Sequence, residues 1–215
     1  MTFSDDAWES IAVLRKAVDD LPFLTGLADG TLPGDVFTHY MAQDALYLAE
    51  YGRVLASAAA QADSTEDLLF WAGSARNTVA VERELHERHL RHVPPQERSP
   101  TCTAYTSYLL SLTMQGSYPV VVAGVLPCFW VYDDVGRRLR DRVGDLTAHP
   151  YGDWIATYGD PAFTAATLAA RDIVDRVAEH AGPATRLRMR QAFTTAARYE
   201  WMFWDAAWRR ECWPV

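Results

Sequence analysis

The chain has 215 residues, of which 49% are hydrophobic and 12% aromatic, so it can bury a full-sized core and we expect one domain over residues 1–215. Its formal net charge of −8 argues against binding to nucleic acid, because such binding draws its affinity from clustered lysine and arginine. Lys16 is the only lysine, which leaves a single candidate for Schiff-base catalysis, near the start of the chain, and argues against that chemistry.

Segments of helical length, separated by proline, glycine and serine, follow one another along the chain. The apolar spacing within Asp5–Asp20 predicts one helix that ends at the Leu21-Pro22 step, because proline disfavours continuation of a helix. A turn is predicted at Ala28-Asp29-Gly30. The next helix is predicted to start at Pro33-Gly34-Asp35 and to reach about Gln61.

The remaining predicted helices start at capping residues or prolines. Ser64 is a suitable N-cap for a helix that continues to about Leu90, and Pro94-Pro95 follows it. The other predicted segments are a helix from Pro100, a helix from Pro119 to about Asp141, a short helix or loop over 151–157, and helices over Pro161–His180 and Pro183–Arg210. No stretch alternates with a period of two, so the sequence predicts an all-α fold without a sheet.

The segment from Ser99 to Tyr132 carries no charged side chain and is long enough to cross a bilayer. It is rich in Ser and Thr, whose hydroxyl groups would need protein partners or water, and Gly116 and Pro119 divide it into two short halves. We therefore predict a buried helical hairpin rather than a membrane span. An uncharged, hydroxyl-rich interior is also typical of a small-molecule pocket.

Three cysteines, Cys102, Cys128 and Cys212, are widely separated and show no C-x-x-C pattern. Neither a disulfide framework nor a zinc knuckle is indicated, and a reducing compartment fits this pattern. The N-terminal segment MTFSDDAWES is acidic and lacks the basic and apolar regions of a signal peptide. We expect a cytoplasmic protein.

Cys128 is a candidate nucleophile within Leu126-Pro127-Cys128-Phe129-Trp130-Val131-Tyr132. Cysteine is the strongest side-chain nucleophile near neutral pH and needs only partial thiolate formation or an adjacent base. Tyr132 lies four residues further on, hence on the same helix face. Taken alone, the segment fits a small buried hydrophobic thiol among aromatic residues better than a nucleophile.

Two carboxylates occur on otherwise apolar or aromatic helix faces. Asp44 lies beside Tyr40, Tyr47 and Tyr51, and Glu200 lies within Tyr199-Glu200-Trp201-Met202-Phe203-Trp204. An unpaired buried charge is costly, so Asp44 is expected to face a cavity, a hydrogen-bond donor or a ligand. An apolar setting raises the pKa of a carboxylic acid, which would make Glu200 a proton donor near neutral pH. The alternative for Asp44 is a structural hydrogen bond from a tyrosine, and the alternative for Glu200 is a helix cap or an arginine partner such as Arg198.

Glu82, Glu84, His86, His89 and His92 crowd one predicted helix. No Glu-x-x-His pair occurs and H-E-x-x-H is absent, so neither a di-iron nor a zincin site is predicted. The alternation of these histidines with arginines favours a solvated charged face. A P-loop and a G-x-G-x-x-G fingerprint are absent as well, and we predict neither a metal nor a cofactor.

Four separated motifs are similar, in order and spacing, to those of one known family. They are Phe23 with Gly30-Thr31-Leu32 and Phe37-x-x-Tyr40-x-x-Gln43-Asp44-x-x-Tyr47-Leu48-x-x-Tyr51; Leu126-Pro127-Cys128-Phe129-Trp130-x-Tyr132; Tyr151-x-x-Trp154-Ile155-x-x-Tyr158-Gly159; and Glu200-x-x-Phe203-Trp204 followed by Ala206. Together they resemble the TenA/thiaminase II family, in its cysteine-containing subgroup, from about residue 20 to residue 208.

This resemblance implies a haem-oxygenase-like bundle of helices, normally a homotetramer, with one pyrimidine pocket per chain and no cofactor. Members of the family hydrolyse thiamin or, more usually, 4-amino-5-aminomethyl-2-methylpyrimidine, and release the hydroxymethyl pyrimidine for thiamin salvage. The implied activity is therefore that of an aminopyrimidine aminohydrolase.

By matching position, the resemblance also assigns roles to individual residues. Cys128 would be the nucleophile, Glu200 the proton-transfer acid or base, and Asp44 the partner of the ring nitrogen and exocyclic amine. The implied substrate-binding residues are Tyr105, Tyr132 and Tyr158, which would line or polarise the pocket, and Tyr47 and Phe203, which would sandwich the ring. Glu84 and His86 match an acidic and histidine pair of the family without an assigned role.

Three alternatives stay open at this point. The chain could be a paralogue with another substrate, because pocket motifs constrain pyrimidine recognition better than the leaving group. It could be a haem or di-iron protein on the same bundle, although the spacings above argue against this. It could also be a binding or regulatory protein without hydrolase activity.

Overall fold

Ten helices, numbered α1 to α10 in chain order, form the regular structure in a computed structural model that describes the backbone of all 215 residues and the side chains of residues 1–79 and 88–215. Their bounds are α1 Phe3–Ser10, α2 Ala12–Asp19, α3 Pro22–Asp29, α4 Gly34–Gln61, α5 Thr65–Leu90, α6 Pro100–Thr113, α7 Tyr118–Val143, α8 Gly152–Tyr158, α9 Pro161–His180 and α10 Pro183–Trp208. The described backbone is 79% helical and contains no strand, which confirms the predicted all-α fold.

Local capping explains where several helices begin. The side chains of Ser64 and Ser99 accept hydrogen bonds from the backbone N–H groups of Asp67 and Cys102, at 3.0 and 3.1 Å. Proline occupies one of the first two positions of α3, α6, α7, α9 and α10, where its missing N–H has no helical partner to lose. These starts agree with the predictions from Ser64 onward to within two residues.

The predicted single helix over Asp5–Asp20 is wrong, because the chain breaks at Ile11 into α1 and α2. Ile11 is buried and has φ −105° and ψ 17°, outside the usual helical values. The break lets α1 pack on α9 and α10, while α2 packs on α10 and α3. A continuous amphipathic helix could not follow both surfaces.

The predicted turn at Ala28-Asp29-Gly30 is only the end of a helix that the prediction missed. Pro22 does not simply close the preceding helix; it occupies the start of α3, which runs to Asp29 and ends on Gly30 with a left-handed φ of 68°. Proline fixes φ near the helical value, so it can begin a helix directly after it has ended another.

Helix α7 lies at the centre of the fold and packs against α4, α6, α8, α9 and α10. Among the described residues it is the one helix long and apolar enough to cross a membrane, but 83% of its most apolar 18-residue window is buried inside the protein. Its apolar surface is thus covered by other helices. With α6 it forms the buried hairpin that the uncharged segment predicts.

Helix α7 and the end of α8 approach each other closely at Gly136. A Cβ atom added to Gly136 would lie 2.4 Å from the backbone carbonyl carbon and oxygen of Tyr158, which no side chain tolerates. Glycine at this position lets α8 settle on α7. It thereby places the Tyr158 ring 4.8 Å from the ring of Tyr132.

We expect Gly136→Ala to lower the free energy of unfolding by about 1–3 kcal/mol, because the added methyl group forces the α8 backbone away from α7. Gly73→Ala in α5 is the control, since its Cβ would meet no atom within 4 Å and alanine favours a helix by up to about 1 kcal/mol. Urea titration of both variants measures the difference. A Gly136→Ala protein as stable as the Gly73→Ala protein would contradict the tight contact.

Candidate active site

A small cavity of about 40 Å³ opens between α4, α5, α7, α8 and α9. Most of its wall is aromatic, with a carboxylate, a thiol and several hydroxyl groups. The described residues that line it are Asp44, Tyr47, Leu48, Tyr51, Thr78, Cys128, Phe129, Tyr132, Tyr158 and Phe163. Five of the eight predicted site residues are in this wall, and the other three, Tyr105, Glu200 and Phe203, lie behind it.

Helix α4 supplies one side of the cavity. Asp44, Tyr47, Leu48 and Tyr51 follow one another at intervals of three, one and three residues, so they share a face of the helix. Asp44 is only 2% exposed, and its charge adds to burial, the largest cause, in raising the pKa values of Tyr132 and Glu200. The buried carboxylate is therefore electrostatically coupled to the other polar groups of the site.

Behind Tyr47 lies a buried pair that joins α6 to α10. The Tyr105 hydroxyl donates a hydrogen bond of 2.5 Å to Glu200 Oε1, and Glu200 is 1% exposed. Burial, together with the Asp44 charge, raises the pKa of Glu200 to about 8, although the hydrogen bond from Tyr105 opposes the rise. The carboxyl group consequently holds a proton at neutral pH and can donate it.

The Tyr47 ring connects this pair to the cavity. It lies 4.9 Å from the Tyr105 ring and 5.5 Å from the Phe203 ring, measured between centroids. Burial raises the pKa of Tyr47 well above its ordinary value, so its phenol stays neutral at neutral pH. The three rings form a continuous aromatic wall in front of Glu200.

The three cysteines have different surroundings. Cys102 is fully buried, its thiol donates to the Gln43 backbone carbonyl, and burial raises its pKa to about 12, which makes it inert. Cys212 is exposed in the C-terminal segment. Cys128 is half-buried and faces the cavity, so of the three thiols it is the one that a bound ligand can contact.

Helix α8 and the residues that pack against it form another wall of the cavity. Trp154 donates from Nε1 to the Tyr40 hydroxyl at 3.2 Å, and the Tyr40 hydroxyl is also 3.2 Å from that of Tyr132. Tyr158 packs on both Tyr132 and Trp154. This network of buried hydroxyl and indole groups holds the rings that face the cavity.

Sequence reasoning missed several lining residues. Tyr51 carried a usable signal, because it continues the Asp44 and Tyr47 stripe by one helical turn. Thr78 and Phe163 carried none, since they lie on helices outside the recognised motifs and reach the cavity only through the packing of α5 and α9.

The histidine-rich end of α5 differs in part from the predicted solvated face. The His89 ring is half-buried, forms a hydrogen bond of 2.7 Å with Asp153 on α8, and meets the edge of Phe37 at 5.1 Å. Glu82, Glu84 and His86 lie outside the residues whose side chains are described. Among those that are described, no group of three or more His, Cys, Asp or Glu could hold a metal ion.

The fold and the site define an all-helical protein with an aromatic cavity that a thiol and a buried carboxylate line, in front of the buried Tyr105–Glu200 pair. Residues 17–210 match the model of the TENA/THI-4/PQQC family, and the chain belongs to this family. The resemblance seen in the four motifs is thus confirmed.

Relatives of known name match over most of the chain. It is 32% identical over 221 residues to the aminopyrimidine aminohydrolase of Bacillus subtilis, and the aligned region covers 99% of this chain and 92% of that protein. It is 36% identical over 207 residues to the thiamine biosynthesis multifunctional protein ThiED of Corynebacterium glutamicum, covering 96% of this chain. The chain spans about a quarter of the length of that protein and of its Corynebacterium efficiens counterpart.

Solved structures support the same fold. A TenA homologue from P. horikoshii OT3 superposes with a TM-score of 0.86 at 26% identity and covers 97% of this chain and 99% of that one. A domain with a heme oxygenase-like fold from Shewanella denitrificans OS217 gives a TM-score of 0.73 at 12% identity, covering 98% and 93% of the two chains. The predicted haem-oxygenase-like bundle is confirmed.

The raised pKa of Glu200 predicts a pH-dependent stability. Between pH 4.5, the ordinary pKa of a glutamate, and about pH 8, the unfolded chain has released this proton while the folded chain retains it. This carboxyl group therefore makes the free energy of unfolding fall as pH rises, by up to about 1.4 kcal/mol per pH unit. Glu200→Gln keeps an acceptor for Tyr105 but does not titrate. Urea titrations from pH 5 to pH 8 should show a flatter dependence for the variant; parallel curves would refute the raised pKa.

Proposed function

We propose that the chain is an aminopyrimidine aminohydrolase of the thiaminase II type, with Cys128 as its nucleophile. The observation that carries this proposal is an aromatic cavity lined by Asp44 and Cys128, with the Tyr105–Glu200 pair directly behind its Tyr47 wall. Membership of the TENA/THI-4/PQQC family and the name of the Bacillus subtilis relative support the choice of a hydrolase that acts on a pyrimidine.

The proposed substrate is 4-amino-5-aminomethyl-2-methylpyrimidine, with thiamin as the second candidate, and the product is the hydroxymethyl pyrimidine of thiamin salvage. Tyr47 and Phe203 would enclose the flat ring, since aromatic faces bind such rings by stacking and burial. Tyr105, Tyr132 and Tyr158 would line or polarise the pocket. Asp44 would accept hydrogen bonds from the exocyclic amine and a protonated ring nitrogen, which makes the ring electrophilic.

In the proposed mechanism the Cys128 thiolate adds to the electron-poor ring, and Glu200 donates its proton to the leaving amine. The electron pair returned by the ring expels the amine from the methylene group. Water then adds at the methylene carbon and gives one proton back to the Glu200 carboxylate. Loss of the thiolate from the ring restores the aromatic pyrimidine and the free enzyme.

The proposal assigns these steps to the side chains of this chain and to water, without a cofactor. A shared hydrophobic core that includes residues of nearly every helix supports the proposal that residues 1–215 form one domain. A homotetramer, which the resemblance implies, and a cytoplasmic location, which fits the dispersed cysteines, complete the proposal.

The direct test is to incubate the purified protein with each of the two pyrimidines and to identify the products by mass spectrometry. We expect the hydroxymethyl pyrimidine and ammonia from the aminomethyl substrate. A comparison of kcat/KM then ranks this substrate against thiamin. Turnover of neither compound would reject the hydrolase and favour a different substrate or a binding protein.

Cys128→Ser should abolish turnover, because a serine hydroxyl remains protonated at neutral pH and is a poor nucleophile without a strong base. Binding of the pyrimidine, measured by calorimetry, should persist because the aromatic walls are unchanged. Cys212→Ser is the matched control and should keep wild-type kcat, since Cys212 lies outside the cavity. Substantial activity in the Cys128→Ser protein would exclude the covalent role.

A further inference from the structure

Tyr51 makes contacts in the cavity wall that the proposed mechanism does not use. It lies on α4, is 3% exposed, and its ring stacks on that of Tyr47 at 5.5 Å. Its hydroxyl donates a hydrogen bond of 2.8 Å to the backbone carbonyl of Val125 on α7. Burial raises the pKa of Tyr51 well above its ordinary value, and the neighbouring Cys128, which lines the same cavity, adds to the rise through its charge and a side-chain hydrogen bond.

The hydrogen-bonding capacity of a phenol decides what this arrangement can do. A tyrosine hydroxyl has one proton and two lone pairs, so while its proton points to Val125 it can only accept from the Cys128 S–H group. In this state the Tyr51 hydroxyl stabilises the neutral form of the thiol, because it accepts a hydrogen bond from the S–H group. A thiolate, in contrast, has no proton to offer and needs a donor.

The bond to Val125 is one that Tyr51 can give up at low cost. The Val125 carbonyl lies inside α7, where the N–H of Phe129, four residues on, is its regular helical donor. It therefore keeps a partner when the tyrosine hydroxyl turns away. A hydrogen bond to a charged acceptor is about twice as strong as one between neutral groups, so the ionised sulfur is the better partner.

The electrostatics of the cavity make such a donor necessary. The titratable groups that line the cavity with the thiol are Asp44, Tyr47 and Tyr51 from α4, Tyr132 from α7 and Tyr158 from α8, and the Tyr105–Glu200 pair of α6 and α10 lies behind Tyr47. None of the described side chains that line the cavity is cationic. Among the described residues, the Asp44 carboxyl group and the neutral phenols of the wall offer hydrogen bonds as a means of stabilising a thiolate.

We propose that Tyr51 is a positioning residue whose hydroxyl turns from the Val125 carbonyl to Cys128 Sγ when the thiol ionises, and so stabilises the thiolate. The thiol proton passes to water, the electron pair of the S–H bond stays on sulfur, and Tyr51 keeps its own proton throughout. The proposal rests on the nucleophilic role of Cys128 in the proposed function.

The test is Tyr51→Phe in a Cys212→Ser background, where Cys128 is the remaining accessible thiol. The variant keeps the ring stacked on Tyr47 and loses only the hydroxyl. We expect the pH midpoint for alkylation of Cys128 by iodoacetamide to rise by about one unit. At pH 7, kcat/KM should fall about tenfold, and the ratio to the parent protein should recover as pH rises, because the thiolate then forms without help.

Tyr118→Phe in the same background is the control. The Tyr118 hydroxyl is also buried, donates to Asp67 at 3.0 Å and accepts from Trp71 at 2.9 Å, but it does not line the cavity. It should leave the alkylation midpoint unchanged. Circular dichroism and urea titration establish that both variants fold. The infrared S–H stretch of Cys128 in the parent protein provides a further measurement that needs no variant at Tyr51. We expect this stretch at the frequency of a hydrogen-bonded thiol.

An unchanged alkylation midpoint in Tyr51→Phe, or an S–H stretch at the frequency of a thiol without a hydrogen bond, would overturn the proposal. A loss of kcat/KM that is equal at every pH would also overturn it, since that result indicates a structural role. Alkylation requires no substrate, so a shifted midpoint in a protein that turns over neither pyrimidine would reject the proposed function while leaving the role of Tyr51 intact.

Discussion

The burial of two carboxyl groups in an aromatic interior is the constraint on which the rest of the structure depends. Asp44 and Glu200 are 2% and 1% exposed, and charges removed from water are stable only with partners or when protonated. Tyr105 supplies a partner to Glu200 and thereby ties α6 to α10. The cost of this arrangement is offset by the large apolar core around it, which a chain with 49% hydrophobic residues can provide.

The aromatic residues serve both the packing and the chemistry. The same rings that exclude water from Glu200, and so raise its pKa, form the faces between which a flat ligand can lie. Their hydroxyl groups add hydrogen bonds at defined positions, as in the contact between Tyr40 and Tyr132. A single set of side chains thus sets the dielectric, the shape and the polarity of the cavity.

Helical periodicity predicted the long helix α4 well, because it starts at a clear signal and keeps its buried apolar face over many turns, and the Ser64 cap predicted the start of α5. The break at Ile11 and the helix from Pro22 were not predictable in this way, since both follow from how short segments fit onto α9 and α10. The motifs indicated Asp44, Cys128 and Glu200, which lie on separate helices that the structure brings around one cavity. Thr78 and Phe163 reach it only through tertiary packing, which no local pattern encodes.

The long uncharged surface of α6 and α7 does not promote aggregation while the other helices cover it. When the protein unfolds, the segment from Ser99 to Tyr132 is exposed without one charged side chain to keep neighbouring chains apart. Aggregation then competes with refolding, and the segment that forms the α6–α7 hairpin is an aggregation-prone part of the denatured chain. The half-life of the folded protein at high temperature accordingly depends on the rate at which these helices unfold.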